Sequence, residues 1–431
     1  MMGDTMKRIL FLSVIAVFAF SLMQCSESIT DSNNNNEPSD PSDNPVVEPE
    51  ELTSADKTLA DAGNKFGLKL FREIVANEPD TNIFISPLSV SMALGMTYNG
   101  ANGDTREAIQ QTLELHGLTI EEVNGSYKNL IDILSNLDPK VLFEIANSIW
   151  YRDGIPVKEN FLELNQTYFS AEVEALDFNN NAACGIINNW VDEKTHGKIT
   201  EIIQPPINPY AIMFLINAIY FKGDWTYQFD PEYTREQSFY LMDGSSNKCN
   251  MMTMQDTFSY FENDYFQAVD LPYGDGDYSM TIFLPNASAG ENVNTLTAKL
   301  TKSNLETWLG NFTENEVLLY LPKFEVEYGI KLKKALTALG MGIAFTPGMA
   351  DFTNIADMEL YINQVRHKTY VKVDEEGTEA AAVTIVEIFQ TSGIPTFKTI
   401  YINHPFLFVI REHSSNSILF MGKITNPGLL E

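Results

Sequence analysis

Residues 377–391 read Gly-Thr-Glu-Ala-Ala-Ala-Val-Thr-Ile-Val-Glu-Ile-Phe-Gln-Thr, alanine-rich at one end and strand-like at the other. Side chains alternate across a strand, so every second residue shares a face. One face then carries Thr378, Ala380, Ala382, Thr384, Val386 and Ile388 and bears no charge. The other carries Glu379, Ala381, Val383, Ile385 and Glu387, with both carboxylates. Such a segment can enter a sheet with its uncharged face on a core. Yet it follows another strand-like run, 370–373, and precedes Ser392-Gly393-Ile394-Pro395, a loop signal. A permanent edge strand is one reading; a strand held apart from an existing sheet is the other.

The surrounding chain supplies the elements such a strand would join. Ser86-Pro87 opens a helix, with a capping hydroxyl and a proline in the first turn. It runs through Leu88, Val90, Met92, Ala93, Leu94 and Met96 to Asn99-Gly100, apolar on nearly every side and so expected to be buried. Asp104 with Glu107 has the spacing of a capping box for a helix ending near Leu113. Ile187, Trp190, Val191 and Lys194 give a one-faced helix ended by Gly197; Leu332, Leu336 and Leu339, stopped by Gly340, give another. Residues 212–221 form a continuous apolar run, expected to be a strand covered on both faces. Its interior polar residue, Asn217, must then find hydrogen-bond partners. The runs 406–410 and 418–424 flank a polar turn and predict a hairpin, and 278–284 and 317–321 are apolar strands. The fold class is α+β, with large antiparallel-rich sheets and many helices.

With 431 residues and 44% hydrophobic content, the chain can bury a sizeable core. Its 28 basic and 58 acidic residues give a net charge of -30, which argues against a nucleic-acid groove. Three cysteines exclude a disulfide scaffold. Cys184 and Cys249 read as free thiols, with a disulfide between them left open. The one long apolar run, 9–23, follows Lys7 and Arg8 in the layout of a secretory signal. It ends at Leu22-Met23-Gln24-Cys25, similar to a bacterial lipobox except that Gln24 is large. Cys25 is therefore either a lipidated first residue or incidental to an ordinary cleavage site. Residues 26–53 hold eight acidic and no basic residues, four prolines and the run Asn33-Asn34-Asn35-Asn36, a composition that cannot bury a core. The expected organisation is a lipoprotein signal peptide at 1–24, an acidic disordered tether at 25–53 and a folded domain at 54–431. Removing a net +1 with residues 1–24 and -8 with the tether leaves the domain about -23.

Enzyme chemistry is not in view. There is no Gly-x-Ser-x-Gly, phosphate loop, His-Glu-x-x-His or Cys-x-x-Cys, and five histidines stand at 116, 196, 367, 404 and 413 without metal spacing. Pairs such as Glu121-Glu122 are expected as solvated charge in so acidic a chain. Neither metal nor cofactor is expected.

Several stretches in order resemble the serpin family over nearly all of residues 60–428. They are Asn82-Ile83-Phe84-Ile85-Ser86-Pro87-Leu88-Ser89, then Leu215-Ile216-Asn217-Ala218-Ile219-Tyr220-Phe221-Lys222-Gly223-Asp224-Trp225. Next come Asp374-Glu375-Glu376-Gly377-Thr378-Glu379-Ala380-Ala381-Ala382, His404-Pro405-Phe406-Leu407-Phe408 and Phe420-Met421-Gly422-Lys423-Ile424. The resemblance implies a large central sheet with further sheets, about eight or nine helices and an exposed reactive loop. It implies a protease inhibitor acting as a suicide substrate, whose cut loop enters the central sheet with the acylated protease attached. A non-inhibitory carrier or binding protein of the same fold is the alternative.

Site residues follow from the same resemblance. Gly377, Thr378, Glu379, Ala380, Ala381 and Ala382 would be the hinge, where insertion starts. Ser86, Ser89, Asn217 and His367 would form the shutter, with His367 either a partner for Asn217 or a satisfied core histidine. Trp225, Lys323 and Glu375 would mark the breach, the last two as an ion pair. The family frame puts the reactive bond at Thr391-Ser392, with Phe389-Gln390 and Gln390-Thr391 as alternatives. A threonine there suits an elastase-like protease and Phe389 a chymotrypsin-like or subtilisin-like one. No Lys or Arg lies between Lys372 and Lys398, which argues against a trypsin-like target. A papain-like cysteine protease also forms an acyl intermediate. The expected product is an exported monomer, tied to a bacterial surface through Cys25 or else secreted.

Overall fold

Among the described residues, 52–378 and 397–428 of a computed structural model, the chain forms nine α-helices. They are α1 (Ser54–Asn77), α2 (Pro87–Gly100), α3 (Gly103–Thr112), α4 (Ile120–Leu134) and α5 (Glu159–Phe169). Then follow α6 (Ala182–Lys194), α7 (Val293–Lys299), α8 (Lys302–Leu309) and α9 (Lys333–Leu336). Strands β1 (Ile83–Ile85), β2 (Val141–Arg152), β3 (Glu172–Leu176), β4 (Met213–Asp224) and β5 (Arg235–Tyr240) precede β6 (Ser246–Glu262). After it come β7 (Phe266–Tyr273), β8 (Tyr278–Pro285), β9 (Thr313–Pro322), β10 (Phe324–Lys331) and β11 (Arg366–Val373). The last are β12 (Gly377–Thr378), β13 (Lys398–Tyr401), β14 (Phe406–Glu412) and β15 (Ile418–Ile424).

Helix α2 sits where its composition demands. Ser86 Oγ accepts from the Ser89 amide at 3.2 Å, Pro87 opens the first turn, and every residue but Ala93 is buried. Burying Leu88, Val90, Met92, Leu94 and Met96 stabilises the fold by roughly 1.5–3 kcal/mol each. The α3 cap differs from expectation. Asn102, not Asp104, is the N-cap, no side chain caps the helix, and Leu113 follows its last turn. Gly103 at φ +47 takes a backbone turn that favours glycine, so the helix starts one residue before Asp104. Gly197 at φ +81 follows α6, and Gly340 at φ +113 breaks the turns after α9.

Among the described residues two sheets carry the rest. A six-stranded sheet runs β10-β11-β12-β4-β2-β3. A nine-stranded sheet runs β1-β15-β14-β8-β7-β6-β9-β13, with β5 on β6. The expected hairpin is β14 with β15, Phe408 opposite Gly422. On one side of the six-stranded sheet, α6 packs Ile187 and Trp190 with Trp150, Ile216 and Ala218. On the other, α2 and the main core take the odd-numbered residues of β4, including Phe221 and Leu215. The apolar run at 212–221 is thus a strand between two layers, but Met213, Phe214 and Leu215 are only partly buried. The space beside them explains why.

The described residues all fall in one compact unit. Cys184 and Cys249 are both free and buried, which closes the question of a disulfide between them.

Candidate functional site

The chain reverses at the top of β11. Asp374, Glu375 and Glu376 make the turn, and Gly377 and Thr378 run back as β12 between β11 and β4. Thr378 stands opposite Val373 on one side and Gly223 on the other, and Gly377 opposite Asp224. A Cβ at residue 377 would lie 2.2 Å from the Gly223 carbonyl oxygen, so only glycine fits this seat. Thr378 is 3% exposed, and its hydroxyl lies 2.7 Å from the Tyr273 hydroxyl.

Trp225 holds the turn from beneath. Its indole Nε1 donates to the Asp374 carbonyl (3.0 Å) and its amide to the Glu376 carbonyl (2.9 Å). Its ring stacks on Tyr273 at 4.4 Å, and the Phe229 amide donates to the Glu375 carbonyl at 2.9 Å. The Glu375 carboxylate meets Lys323 Nζ at 2.7 Å and accepts from Thr234 Oγ1 at 2.8 Å. Burial pushes that carboxyl up, but Lys323 and Thr234 outweigh it and hold Glu375 below its ordinary range. With Glu375 8% exposed, removing either partner would leave a largely buried charge uncompensated, a greater cost than breaking an exposed pair.

Below Thr378 the sheet parts. Among the described residues β4 and β11 are joined only through β12, and no ladder ties them further down. The slot opens into a cavity of about 470 Å³, lined by Val90 and Leu94 of α2, Leu215 and Asn217 of β4, and His367 of β11. Ser86 ties its upper wall together. Its hydroxyl donates to the Leu419 carbonyl (2.7 Å), and its amide to His367 Nε2 (3.0 Å). Burial lowers His367 to about 4, so the ring is neutral at pH 7. Since Nε2 accepts, Nδ1 carries the proton. Asn217 Nδ2 donates to Asn147 Oδ1 at 2.8 Å, and Asn147 Nδ2 to the Phe169 carbonyl at 2.8 Å. Asn217 and His367 do not bond to one another, and His367 is a core histidine satisfied by Ser86. They stand on the two strands that border the slot, and each takes a partner on its own side.

The family model described as Serpin (serine protease inhibitor) matches residues 61–427. The chain is a serpin. Iripin-2 of Ixodes ricinus is 34% identical over 372 residues, covering 85% of this chain and 93% of that one. The native state of Tengpin, a thermophilic serpin, superposes with a TM-score of 0.79 at 32% identity, covering 88% of this chain and 96% of the other. Human thyroxine-binding globulin complexed with thyroxine gives a TM-score of 0.78 at 28% identity, covering 87% and 100%. The family supports protease inhibition in general for this serpin, and the expected α+β fold with a large central sheet is the one observed.

In this serpin Ser86, Ser89, Asn217 and His367 meet around the cavity, and Trp225, Lys323 and Glu375 around the turn into β12. Of the residues expected to form the hinge, Gly377 and Thr378 are described. Glu379, Ala380, Ala381, Ala382, Phe389, Gln390, Thr391, Ser392 and Cys25 lie outside the described residues. Sequence reasoning missed Tyr273, Thr234 and Asn147. Tyr273 lies 105 residues from Thr378 and sits in an ordinary apolar strand, so nothing local marks it. Among the described residues no group of His, Cys, Asp and Glu is arranged for a metal, and no helix is long and apolar enough to cross a membrane.

Proposed function

We propose that this serpin inhibits serine proteases as a suicide substrate, with Thr391-Ser392 as the reactive bond. The protease nucleophile attacks the Thr391 carbonyl, and the Thr391-Ser392 bond breaks. The Ser392 nitrogen leaves as an amine bearing the transferred proton, and Thr391 stays esterified to the enzyme. Residues 378–391, fully extended, reach about 46 Å, enough to carry the attached enzyme along the sheet if they enter the slot. One observation supports this reading: Thr378 is already seated between β11 and β4, and among the described residues no ladder joins those two strands beneath it. A loop need only extend the pairing that Thr378 begins.

The small side chain of Thr391 favours an elastase-like protease. Phe389-Gln390 would suit chymotrypsin-like or subtilisin-like enzymes, and papain-like cysteine proteases form the acyl species too. Export by residues 1–24, attachment through a lipid on Cys25 and a tether over 25–53 would put a monomeric inhibitor outside the cell. The structural likeness to a thyroxine-bound globulin favours a second reading, a carrier whose loop is cut without trapping. Incubation with elastase or subtilisin separates the two. Inhibition requires a complex that survives boiling in detergent, together with release of residues 392–431. Free cleaved protein alone supports the carrier.

A further inference from the structure

The cavity of about 470 Å³ beside β4 has the size of a small-molecule site, and its two ends differ in chemistry. At one end Arg366 Nη1 donates to the Ile202 carbonyl at 3.3 Å and Lys368 Nζ to the Glu201 carbonyl at 3.2 Å. At the other, Asn217 Nδ2 lies 3.8 Å from Met92 Sδ of α2, and Val90, Ala93 and Leu94 of that helix form the wall. Arg366 and Lys368 alternate with His367 along β11, and His367 bonds to Ser86 at the start of α2. The two cations therefore face the opposite side of the sheet from α2. The cavity passes through the sheet, from a charged rim to an apolar pocket, and suits an extended chain.

Charge is confined to the rim. Lys368 is paired with Glu327 at 2.6 Å, and Glu359 is exposed. Arg366 has no ion pair among the described residues, and its guanidinium carries several donors of which one goes to Ile202. Two residues away, the buried donor Gln364 Nε2 has no partner among the described residues. On the α2 side the buried acceptor Asn217 Oδ1 has none either. Unpaired buried groups are costly, so each marks a place where a complementary atom belongs. The exposed rings of Tyr210 and Tyr361 also line the cavity and give the rim an apolar flank.

We propose that this cavity binds a long-chain hydroxy fatty acid. Its carboxylate accepts from the Arg366 fork and from Gln364 Nε2. Its chain runs through the slot against Leu215, Val90, Ala93 and Leu94, and a hydroxyl at the far end donates to Asn217 Oδ1. The site goes beyond the readings above and stands whether the chain traps a protease or carries a cargo.

Calorimetric titration of the full chain tests this, with ω-hydroxydodecanoic acid as the probe and dodecanoic acid and dodecanol as comparators. The hydroxy acid should bind saturably and raise the melting temperature. Loss of the hydroxyl should weaken binding about five-fold, and exchange of the carboxylate for an alcohol about ten-fold or more. Each methylene removed should cost about four-fold. Arg366→Gln should lose about ten-fold toward the acids and nothing toward dodecanol, and Arg366→Lys should keep most of the affinity. Ala93→Phe, which fills the apolar pocket, should abolish binding, with an unchanged melting temperature without ligand showing that it folds. Should it fail to fold, the Arg366 pair decides. Equal affinity in wild type, Arg366→Gln and Ala93→Phe would put chain binding elsewhere, as on the apolar run 9–23, and overturn the site. Absence of saturable binding overturns it too, and dodecanol binding as tightly as dodecanoic acid overturns the role of Arg366.

Discussion

The hydroxyls of Thr378 and Tyr273 lie 2.7 Å apart, at the point where β12 is wedged between β11 and β4. Gly377 and Thr378, the first two residues of the proposed hinge, are therefore already strand. The space around Thr378 is closed by Tyr273, whose ring stacks on Trp225. Thr378→Arg would put an unpaired guanidinium there, at a cost of several kcal/mol. The expected outcome is expulsion of the hinge and conversion from inhibitor to substrate. Detergent-stable complexes with elastase should vanish while cleavage continues; their persistence would refute the seat as the start of insertion.

Gly377→Ala separates shape from charge. The added methyl would meet the Gly223 carbonyl oxygen at 2.2 Å and Asp224 Cα at 2.7 Å, both backbone atoms that cannot swing aside. The turn should lift, loosening the amides of Trp225 and Phe229 that donate to Glu376 and Glu375. Hydrogen exchange at those two amides should quicken by about ten-fold or more, as for a loss of about 1.4 kcal/mol. Unchanged protection would mean the seat tolerates a side chain.

How far the sequence reaches can be judged from a few positions. The start of α2 was legible because a capping hydroxyl, a proline and an all-round apolar run are local signals. The hairpin of β14 and β15 was legible for the same reason. The α3 cap was misread because Asp104 and Glu107 fit a spacing, whereas Gly103 at φ +47 sets where the helix begins. Around the slot, residue type said that a buried Asn217 needs partners but not which. Asn147, 70 positions away, supplies one through β2, and His367 turns to Ser86 instead. Pairing across a sheet is a property of register, which no single segment states.

The Lys323–Glu375 pair gives a pH-dependent test. Glu375 is held below its ordinary value of 4.5, so its contribution is complete above that value and is lost as pH falls through the folded-state value. Lys323→Met leaves a largely buried carboxylate without its cation and should cost about 2 kcal/mol at pH 7, discounted for the partial exposure of the pair. Protonation removes that penalty. The difference in melting temperature between wild type and variant should therefore shrink from pH 7 to pH 3.5. A constant difference would show that the lysine acts through its aliphatic stem.

His367 makes an independent acid-sensitive joint. Its ring is neutral because burial lowers it from 6.5 to about 4, and Nε2 accepts the Ser86 amide at 3.0 Å. A protonated ring has no acceptor, so the Ser86 amide would lose its partner and a charge would be buried beside the slot. Between pH 6.5 and 4 the unfolded chain binds a proton that the folded one refuses, so stability must fall as pH drops across that window. The loss at this residue is about 3 kcal/mol. His367→Gln keeps an acceptor for Ser86 without a titrating group. Its melting temperature should be nearly flat over that window, apart from the slope of the carboxylates, while the wild type declines. Equal slopes in the two proteins would place the acid lability elsewhere in the sheet and leave His367 a structural acceptor only.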